Sequence, residues 1–268
     1  MSKQPVTEFN AIVVGAGVGG LYALHRLRGL GLNVGAFEAG GDVGGTWYWN
    51  RYPGCRCDVE SMEYSYSFSD DLQQEWKWPE RYGTQPEILR YVNHVADRFD
   101  LRRDIRFNTR VLAGSFDETA NRWTFETDRH GTISAPYCIM ATGNLSTPRV
   151  PDFPGLENFA GRWYHTGLWP HEGVDFTGQR VGIIGTGSSG VQSIPLIAKQ
   201  AKHLHVFQRT ANFSLPARNA PLEAQVEQRH KAEYADRRKA AFDTPFGIAG
   251  YPPPDKSALE VPTDEREA

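Results

Sequence analysis

The chain has 268 residues, and its 29 basic and 32 acidic residues give a formal net charge of −3 at pH 7. This length suffices for one large or two modest domains with a substantial buried core. Because charges of both signs are interspersed, the composition argues against a nucleic acid or an anionic membrane as partner, and a small molecule is the expected ligand.

The cysteine content predicts a cytoplasmic protein without a metal site. Cys55 and Cys57 are too close in sequence for a relaxed disulfide, and with Cys138 the chain has an odd number of cysteines. A Cys-x-Cys pair with no second Cys or His pair nearby is also poor spacing for zinc. The uncharged residues 11–24 contain several glycines and fit neither a membrane span nor a signal peptide. We expect a soluble, unexported protein, and nothing in the sequence indicates an obligate protein partner.

The first elements predict a βαβ unit. Residues 11–14 form a short apolar run typical of a strand, and residues 21–30 place apolar side chains at helical spacing. Strand character returns at residues 32–38, after Gly29 and Gly31 mark the end of the helix.

Four further patterns follow in chain order. Residues 40–78 carry glycines and aromatics without periodicity, which indicates a long ordered loop region of the kind that usually carries function. A helical stripe over residues 86–99 has a proline near its start, where a missing N–H does no harm. Alternation over residues 106–132 predicts a small antiparallel meander, and residues 137–141 predict a buried strand.

The second half predicts another βαβ unit. Its strands are expected at residues 181–184 and 204–207, and its helix at residues 188–201 despite a proline inside it. Beyond this unit the chain turns polar, with one sparse helical stretch at residues 223–242 and a Pro- and Gly-rich end at residues 250–255.

Prolines recur at every third position from Pro148 to Pro154, which marks an extended connector and a domain boundary. The predicted fold is α/β, with two Rossmann-like dinucleotide-binding domains built on three layers and parallel sheets, and with the small meander added. The predicted boundaries are residues 1–147 for the first domain, 148–178 for a linker and 179–268 for an incomplete second domain.

The first glycine motif, Gly15-Ala-Gly17-Val-Gly-Gly20, fits G-x-G-x-x-G between a predicted strand and a predicted helix. Gly15 and Gly17 would let the backbone approach a pyrophosphate at the helix N-terminus, and Gly20 would let helix and sheet pack closely. Glu38 ends the next strand, where its carboxylate can accept hydrogen bonds from ribose hydroxyls. A mere tight turn is the alternative, and the strand, helix and terminal acid together disfavour it.

A second motif, Gly185-Thr-Gly187-Ser-Ser-Gly190, repeats this pattern in the same context. Glu38 lies 23 positions after Gly15, and the same step from Gly185 reaches Gln208, which is not an acid.

Arg209 and Thr210 follow that position. A guanidinium can bind a 2′-phosphate in a charge-assisted pair worth roughly 1.5 to 3 kcal/mol, whereas a carboxylate would repel it. The second site is therefore predicted to take NADPH, which leaves the first site for FAD. The alternative for Arg209 is an ordinary surface arginine near a strand end.

Residues 159–170 read Phe159-Ala-Gly161-Arg-Trp-Tyr-His165-Thr-Gly-Leu-Trp169-Pro170. This resembles, position for position, the F-x-G-x-x-x-H-x-x-x-W-P signature of the Baeyer–Villiger monooxygenases, which is more specific than either glycine motif. Residues 44–54 and 56–58 resemble the flavin-side loop of the same family, and the resemblance runs through essentially the whole chain to residue 259.

In that family NADPH reduces FAD, and a C4a-peroxyflavin inserts one oxygen atom of O2 next to a ketone carbonyl to give an ester or lactone. The positions then expected to contact FAD are Gly15, Gly17, Gly20, Glu38, Thr46, Trp47, Tyr48, Trp49, Asp58, Tyr64 and Val111. Those expected to contact NADP are Thr186, Gly187, Ser188, Ser189, Gly190, Val191, Gln192, Arg209 and Thr210, with Arg56, Cys57 and Asp58 approaching the nicotinamide side.

Asp58 is the catalytic candidate, because the matching carboxylate of the family lies beside an active-site arginine and tunes it electrostatically. A loop salt bridge is the alternative. His165 is left out of the catalytic set, since the family places it at an inter-domain hinge and a lone His is more often structural.

The resemblance covers about the first half of a full-length family member, and no arginine of this chain can be assigned the family's catalytic role. We therefore expect a fragment without Baeyer–Villiger activity of its own. Two alternatives stay open: a flavin-containing N- or S-oxygenating monooxygenase, whose shorter signature lacks Trp169-Pro170, and a non-catalytic nucleotide-binding module. The lack of any Cys-x-x-Cys disfavours a flavoprotein disulfide reductase.

Overall fold

The structure is a computed structural model that describes residues 6–245, 247–249, 256–257 and 260–263. The Pro- and Gly-rich stretch predicted at residues 250–255 lies outside the described residues.

The chain divides into two compact units. The first unit comprises Met1–Arg56 and Thr84–Pro216, and the second comprises Cys57–Gly83 and Ala217–Ala268. In chain order the helices and strands are β1 (Thr7–Glu8), β2 (Ala11–Val14), α1 (Val18–Gly29), β3 (Val34–Phe37), α2 (Thr46–Trp49), α3 (Asp70–Glu75), α4 (Gln85–Arg98), β4 (Ile105–Arg106), β5 (Val111–Asp117), β6 (Arg122–Thr127), β7 (Gly131–Ala135), β8 (Tyr137–Met140), β9 (Arg180–Ile184), α5 (Ser188–Ala198), β10 (His203–Phe207), α6 (Ala224–Ala232) and α7 (Tyr234–Phe242).

The first parallel sheet has the strand order β4-β3-β2-β8, and α1 lies against β2, β3 and β8. Every residue of β2 and β3 is buried. Ile12, Val14 and Phe37 of this sheet form one core with Phe125 and Ile133 of the meander, which consists of the antiparallel strands β5, β6 and β7. The predicted βαβ unit and meander are therefore both present, and they share a hydrophobic core.

The expectation that residues 137–141 form a buried strand was wrong in one respect. Residues 137–140 form β8, but Tyr137 and Met140 are 68% and 60% exposed. Among the described strands β8 pairs only with β2, so it lies at the edge of its sheet. A short apolar run can form an edge strand of a sheet as well as a central strand. For that reason the sequence did not reveal that β8 is exposed.

The region predicted as a loop, residues 40–78, contains the two short helices α2 and α3. Ser69 caps α3, because its hydroxyl accepts a hydrogen bond from the N–H of Leu72. Helices of four and six residues are too short to show a periodic apolar pattern.

Strands β9 and β10 form a second parallel sheet, in which Arg180 pairs with His203 and Ile184 pairs with Phe207. Helix α5 connects them, and Pro195 lies inside the helix without ending it. The second predicted βαβ unit is thus present, but its strand residues are exposed or half-buried.

Helices α6 and α7 belong to the second unit, where the sequence predicts a single helical stretch at residues 223–242. They meet at Glu233, whose φ of −95° and ψ of 2° interrupt the helix. Arg238 of α7 donates to the hydroxyl of Ser65 at 2.7 Å, and Lys231 of α6 donates to the carbonyl of Gln74 at 2.7 Å. Within the described ranges, no helix has the length and apolar character needed to cross a bilayer.

Candidate nucleotide-binding sites

The first glycine motif forms a tight turn between β2 and α1. Gly15 has a φ of +104°, and a Cβ there would lie 2.5 Å from the carbonyl oxygen of Ala141. A Cβ on Gly20 would lie 2.0 Å from the carbonyl oxygen of Gly15, so the first turn of α1 rests directly on the turn. The helix begins after its N-cap Gly17. The N–H groups of such a first turn have no intrahelical partner, which suits this end of the helix to a phosphate.

Glu38 lies directly after β3 and is buried, with 5% of its surface exposed. Its Oε2 accepts a hydrogen bond from the N–H of Ala16 at 2.7 Å, and its Oε1 accepts one from the N–H of Gly40 at 2.6 Å. The carboxylate therefore ties the strand end to the glycine turn. Two oxygens offer about four acceptor positions, so two backbone donors leave room for ribose hydroxyls.

The loop that carries α2 packs on the same glycine turn. The N–H of Gly44 donates to the carbonyl of Ala16 at 3.0 Å. Gly45 has a φ of +53°, and a Cβ there would lie 2.8 Å from the Cα of Gly17. The backbones at Gly45 and Gly17 are so close that a side chain at Gly45 would not fit between them. Turn, carboxylate and loop together form a cradle that fits the ADP portion of a dinucleotide, FAD included.

The second glycine motif reproduces the first. Gly185 has a φ of +102°, and a Cβ on Gly190 would lie 2.5 Å from the carbonyl oxygen of Gly185. The N–H of Gly185 donates to the carbonyl of Phe207 at 2.9 Å, as that of Gly15 donates to the carbonyl of Phe37 at 2.8 Å. The two turns therefore have the same construction, and the residues after Phe37 and Phe207 occupy equivalent positions.

At that equivalent position the two sites differ. Gln208 donates from Nε2 to the hydroxyl of Thr186 at 2.7 Å, where Glu38 instead accepts from a backbone N–H. Asn212 donates to the carbonyl of Thr186 at 2.7 Å, so two side chains hold this loop. Arg209 and its neighbour Thr210 are exposed. The second site therefore has the neutral amide of Gln208 and the exposed guanidinium of Arg209 where the first site has the carboxylate of Glu38.

The signature segment is built around small and aromatic residues. A Cβ on Gly161 would lie 2.8 Å from the ring of Phe159. Trp169 is buried and lies with its ring centroid 6.1 Å from that of Phe176. The Nδ1 of His165 accepts a hydrogen bond from the N–H of Gly167 at 3.2 Å, which caps a short 3₁₀ turn. This contact agrees with a structural role for His165.

Residues 12–245 match the family described as pyridine nucleotide-disulphide oxidoreductase. The chain belongs to this family.

Three relatives show which enzymes this chain is similar to. A Baeyer-Villiger monooxygenase of Pseudooceanicola batsensis is 50% identical over 234 residues, which cover 87% of this chain and 43% of that protein. Phenazine N-monooxygenase PhzNO1 of Lysobacter antibioticus is 43% identical over 274 residues, which cover 100% of this chain and 49% of that protein. A solved structure described as an oxidized steroid monooxygenase bound to NADP is 58% identical, with a TM-score of 0.91 over 97% of this chain and 50% of that chain.

The chain thus spans about half the length of the curated relatives it matches. The predicted resemblance to Baeyer–Villiger monooxygenases over half of their length is confirmed, and so is the α/β fold with parallel sheets.

The structure brings most of the predicted site residues into two groups. The first group lies around the first glycine turn: Gly15, Gly17, Gly20, Glu38, Thr46, Trp47, Tyr48 and Trp49. Val111 packs against the core that the first sheet shares with the meander. The second group lies around the second turn and the end of β10: Thr186, Gly187, Ser188, Ser189, Gly190, Val191, Gln192, Arg209 and Thr210.

Three further predicted residues belong to the second compact unit, whereas both groups belong to the first: Cys57, Asp58 and Tyr64. Asp58 is exposed. Burial raises the pKa of the Cys57 thiol, and the neighbouring Asp58 carboxylate acts in the same direction, so this thiol is a poor nucleophile at neutral pH. Their roles toward the cofactors stay predictions.

Sequence reasoning missed one side chain that holds α2 and one that holds the second glycine turn. The side-chain amide of Gln85 donates to the carbonyl of Trp47, and Asn212 holds Thr186. No local motif marks either residue. Gly54, by contrast, stands in the quoted flavin-side loop, and its φ of +80° is the kind of constraint that a glycine in a loop can signal.

Proposed function

We propose that this chain provides the FAD and NADPH sites of a Baeyer–Villiger monooxygenase, which uses O2 to convert a ketone to an ester or lactone. One observation carries the proposal: two glycine turns of the same construction are followed at equivalent positions by a buried carboxylate, Glu38, and by a neutral Gln208 next to Arg209. Two different dinucleotides are what such a pair of sites would bind. The similarity to Baeyer–Villiger monooxygenases supports the choice of chemistry.

FAD would lie on the first turn, with its pyrophosphate at the N-terminus of α1 and its ribose on Glu38. Bound there, FAD supplies the two-electron redox chemistry that connects NADPH oxidation to O2. Thr46, Trp47, Tyr48 and Trp49 of α2 would line the cofactor, together with the backbone of Val111. The remaining FAD contacts in this proposal are Asp58 and Tyr64, and Asp58 is also the proposed electrostatic partner of a catalytic arginine.

NADPH would lie on the second turn. Residues 186–192 would hold its pyrophosphate, and Arg209 with Thr210 would bind the 2′-phosphate. The proposed domain boundaries remain residues 1–147, 148–178 and 179–268, and the odd number of cysteines supports a reducing, cytoplasmic location.

The substitution Arg209→Ala tests the NADPH assignment. Loss of a charge-assisted pair of about 1.5–3 kcal/mol should weaken NADPH about 10- to 100-fold and leave NADH within about twofold. Dissociation constants of both nucleotides, measured by fluorescence titration of the FAD-loaded protein, check this. Arg129→Ala, an exposed arginine after β6, is the matched control and should change neither constant. An equal loss for both nucleotides would remove the phosphate assignment.

Oxygenation of a heteroatom is the second candidate function, because phenazine N-monooxygenase PhzNO1 matches the full length of this chain. Product analysis with a ketone, an aromatic amine and a thioether under NADPH and O2 separates the two. An ester or lactone from the ketone supports the Baeyer–Villiger proposal, and if this chain forms it alone, the expectation that the chain has no such activity of its own is overturned. An N-oxide formed without any ester supports the alternative.

A further inference from the structure

The side chain of Gln192 connects the second glycine motif to the loop that follows α2. Gln192 lies in the second turn of α5, yet its amide is directed at residues 52–56. Its Nε2 donates to the carbonyl of Arg56 at 3.1 Å, and its Oε1 accepts from the N–H of Arg56 at 3.3 Å and from the hydroxyl of Tyr52 at 3.0 Å. Both ends of one amide thus pair with the backbone of one residue.

The backbone of Gln192 is in contact with the same loop. Gly54 has a φ of +80°, and a Cβ there would lie 2.2 Å from the carbonyl oxygen of Gln192 and 3.4 Å from the Cδ1 of Leu196. A glycine is therefore required on the loop side, and helix and loop cannot separate or shift without breaking this packing.

Hydrogen bonds continue from this contact to α2. The N–H of Gln85 donates to the carbonyl of Cys55 at 2.8 Å, and Arg56 forms a β-bridge with Thr84. The side chain of Gln85 donates in turn to the carbonyl of Trp47, which is buried in α2. A continuous set of hydrogen bonds therefore joins α5, which starts at the second glycine turn, to α2, which packs on the first.

We infer that Gln192 is a positioning residue that couples the two nucleotide sites, so that NADP bound at the second turn strengthens FAD binding at the first. This inference rests on the proposed function. A nucleotide that orders the first turn of α5 also fixes the Gln192 amide, and the amide fixes Arg56 and the loop leading to Trp47. Coupling of this kind is reciprocal, and typical values are about 5- to 150-fold in affinity.

The test is a thermodynamic cycle on the purified protein. Dissociation constants of FAD are measured by flavin fluorescence with and without saturating NADP+, and those of NADP+ with and without FAD. For the unmodified chain we expect a coupling factor of about fivefold or more, the same in both directions. Gln192→Met keeps length and helix propensity but removes both hydrogen-bonding ends, and should bring the factor below about twofold. It should also diminish the change that NADP+ causes in the absorption spectrum of bound flavin.

Two further variants make the result specific. Tyr52→Phe removes one of the three hydrogen bonds and should give an intermediate factor, which keeps the test usable if Gln192→Met fails to fold. Gln200→Met is the control, because Gln200 lies just beyond the other end of α5 and its Oε1 accepts from the N–H of Phe176 at 3.2 Å. It should keep the full coupling factor.

The outcomes separate this inference from the proposed function. If the unmodified chain binds neither nucleotide, the proposed function fails, and the inference fails with it. If both bind with a coupling factor of one, only the inference is overturned. If Gln192 merely contacts NADP+, Gln192→Met lowers NADP+ affinity equally with and without FAD, the coupling factor survives, and the inference is again overturned.

Discussion

The two βαβ units of the first compact unit share their glycine turns but differ in how their strands are buried. Strands β2 and β3 are buried at every residue, between α1 and the meander, whereas β9 and β10 are exposed or half-buried throughout. Even so, the N-caps Gly17 and Gly187 have nearly the same backbone conformation, with φ of −80° and −67° and ψ of −169° and −177°. The turn geometry is therefore set by the local sequence and not by burial of the sheet.

The difference that we propose to decide ligand choice is equally local. It lies in one residue after each second strand, where a buried carboxylate at one site corresponds to a neutral amide at the other. Substitutions at matched positions of the two units test whether the two turns are equivalent and whether the residue at the strand end distinguishes the nucleotides.

Glycine-to-alanine changes at the third motif glycine should have the largest effect. An added Cβ would lie 2.0 Å from a backbone oxygen at Gly20 and 2.5 Å at Gly190. Overpacking costs about 1–3 kcal/mol or more, so we expect Gly20→Ala to weaken FAD about 100-fold and Gly190→Ala to weaken NADPH about 10-fold. Titration of each nucleotide checks this. Gly19→Ala, where the new Cβ would have no atom within 4 Å apart from its chain neighbours and the backbone of its own helix, should leave both affinities unchanged. If Gly20→Ala behaves like Gly19→Ala, the close packing has no role in binding.

These matched positions also show what sequence could and could not predict. The glycine turns, the βαβ units and the equivalence of Glu38 with Gln208 follow from local patterns with fixed spacing. The Gln192–Arg56 pairing joins residues 136 positions apart, and the exposure of β8 depends on which strands flank it. No local pattern encodes either feature. The ion pair between the Oε1 of Glu63 and the Nε of Arg237 in α7, 3.2 Å apart, joins residues 174 positions apart and is likewise not encoded by a local pattern.

Removing the charge of Glu38 should have the next largest effect. In Glu38→Gln, one side-chain NH2 must face the N–H of Ala16 or of Gly40, which now donate to the carboxylate at 2.7 and 2.6 Å. Loss of a charge-assisted hydrogen bond of about 1.5–3 kcal/mol should weaken FAD about 10- to 100-fold. NADPH affinity, measured in parallel at saturating FAD, should be unchanged. Glu126→Gln, at an exposed position of β6, is the control, and equal FAD affinities in the two variants would contradict the role of Glu38.

The reverse exchange should have a smaller effect and acts on the other nucleotide. Gln208→Glu replaces the amide that donates to the hydroxyl of Thr186 with a carboxylate, to which that hydroxyl can donate instead, and it places a negative charge beside the proposed 2′-phosphate. Like charges at a partly screened site cost about 1–1.5 kcal/mol, so NADPH should weaken about 10-fold. NADH lacks the phosphate and is the control within the same variant. If NADH and NADPH weaken together, the strand end does not distinguish the nucleotides.

The second unit contrasts with both βαβ units, because side-chain polar groups rather than glycine turns fix its helices. His230 is buried, and its Nε2 accepts from the Nε of Arg237 at 3.2 Å, with the Oε1 of Glu63 3.5 Å from the same nitrogen. Burial lowers the pKa of His230 from 6.5 to about 4, and the guanidiniums of Arg237 and Arg238 act in the same direction. A proton on Nε2 would displace the Arg237 hydrogen bond, so the neutral ring is the folded form.

This network should affect the stability of the fold and not nucleotide binding, and its effect appears only in acid. Because the folded state lowers the pKa of His230, the unfolded state binds more protons between about pH 6.5 and about pH 4. The stabilisation is therefore complete above pH 6.5 and is lost as the pH falls through this window. We expect a loss on the order of 2 kcal/mol, allowing for partial solvent screening. Urea unfolding from pH 8 to pH 4 should show a shallower dependence in His230→Gln, while His130→Gln, at an exposed turn, keeps the original slope. Identical slopes in the two variants would mean that the titration of His230 does not contribute to the acid sensitivity of the second unit.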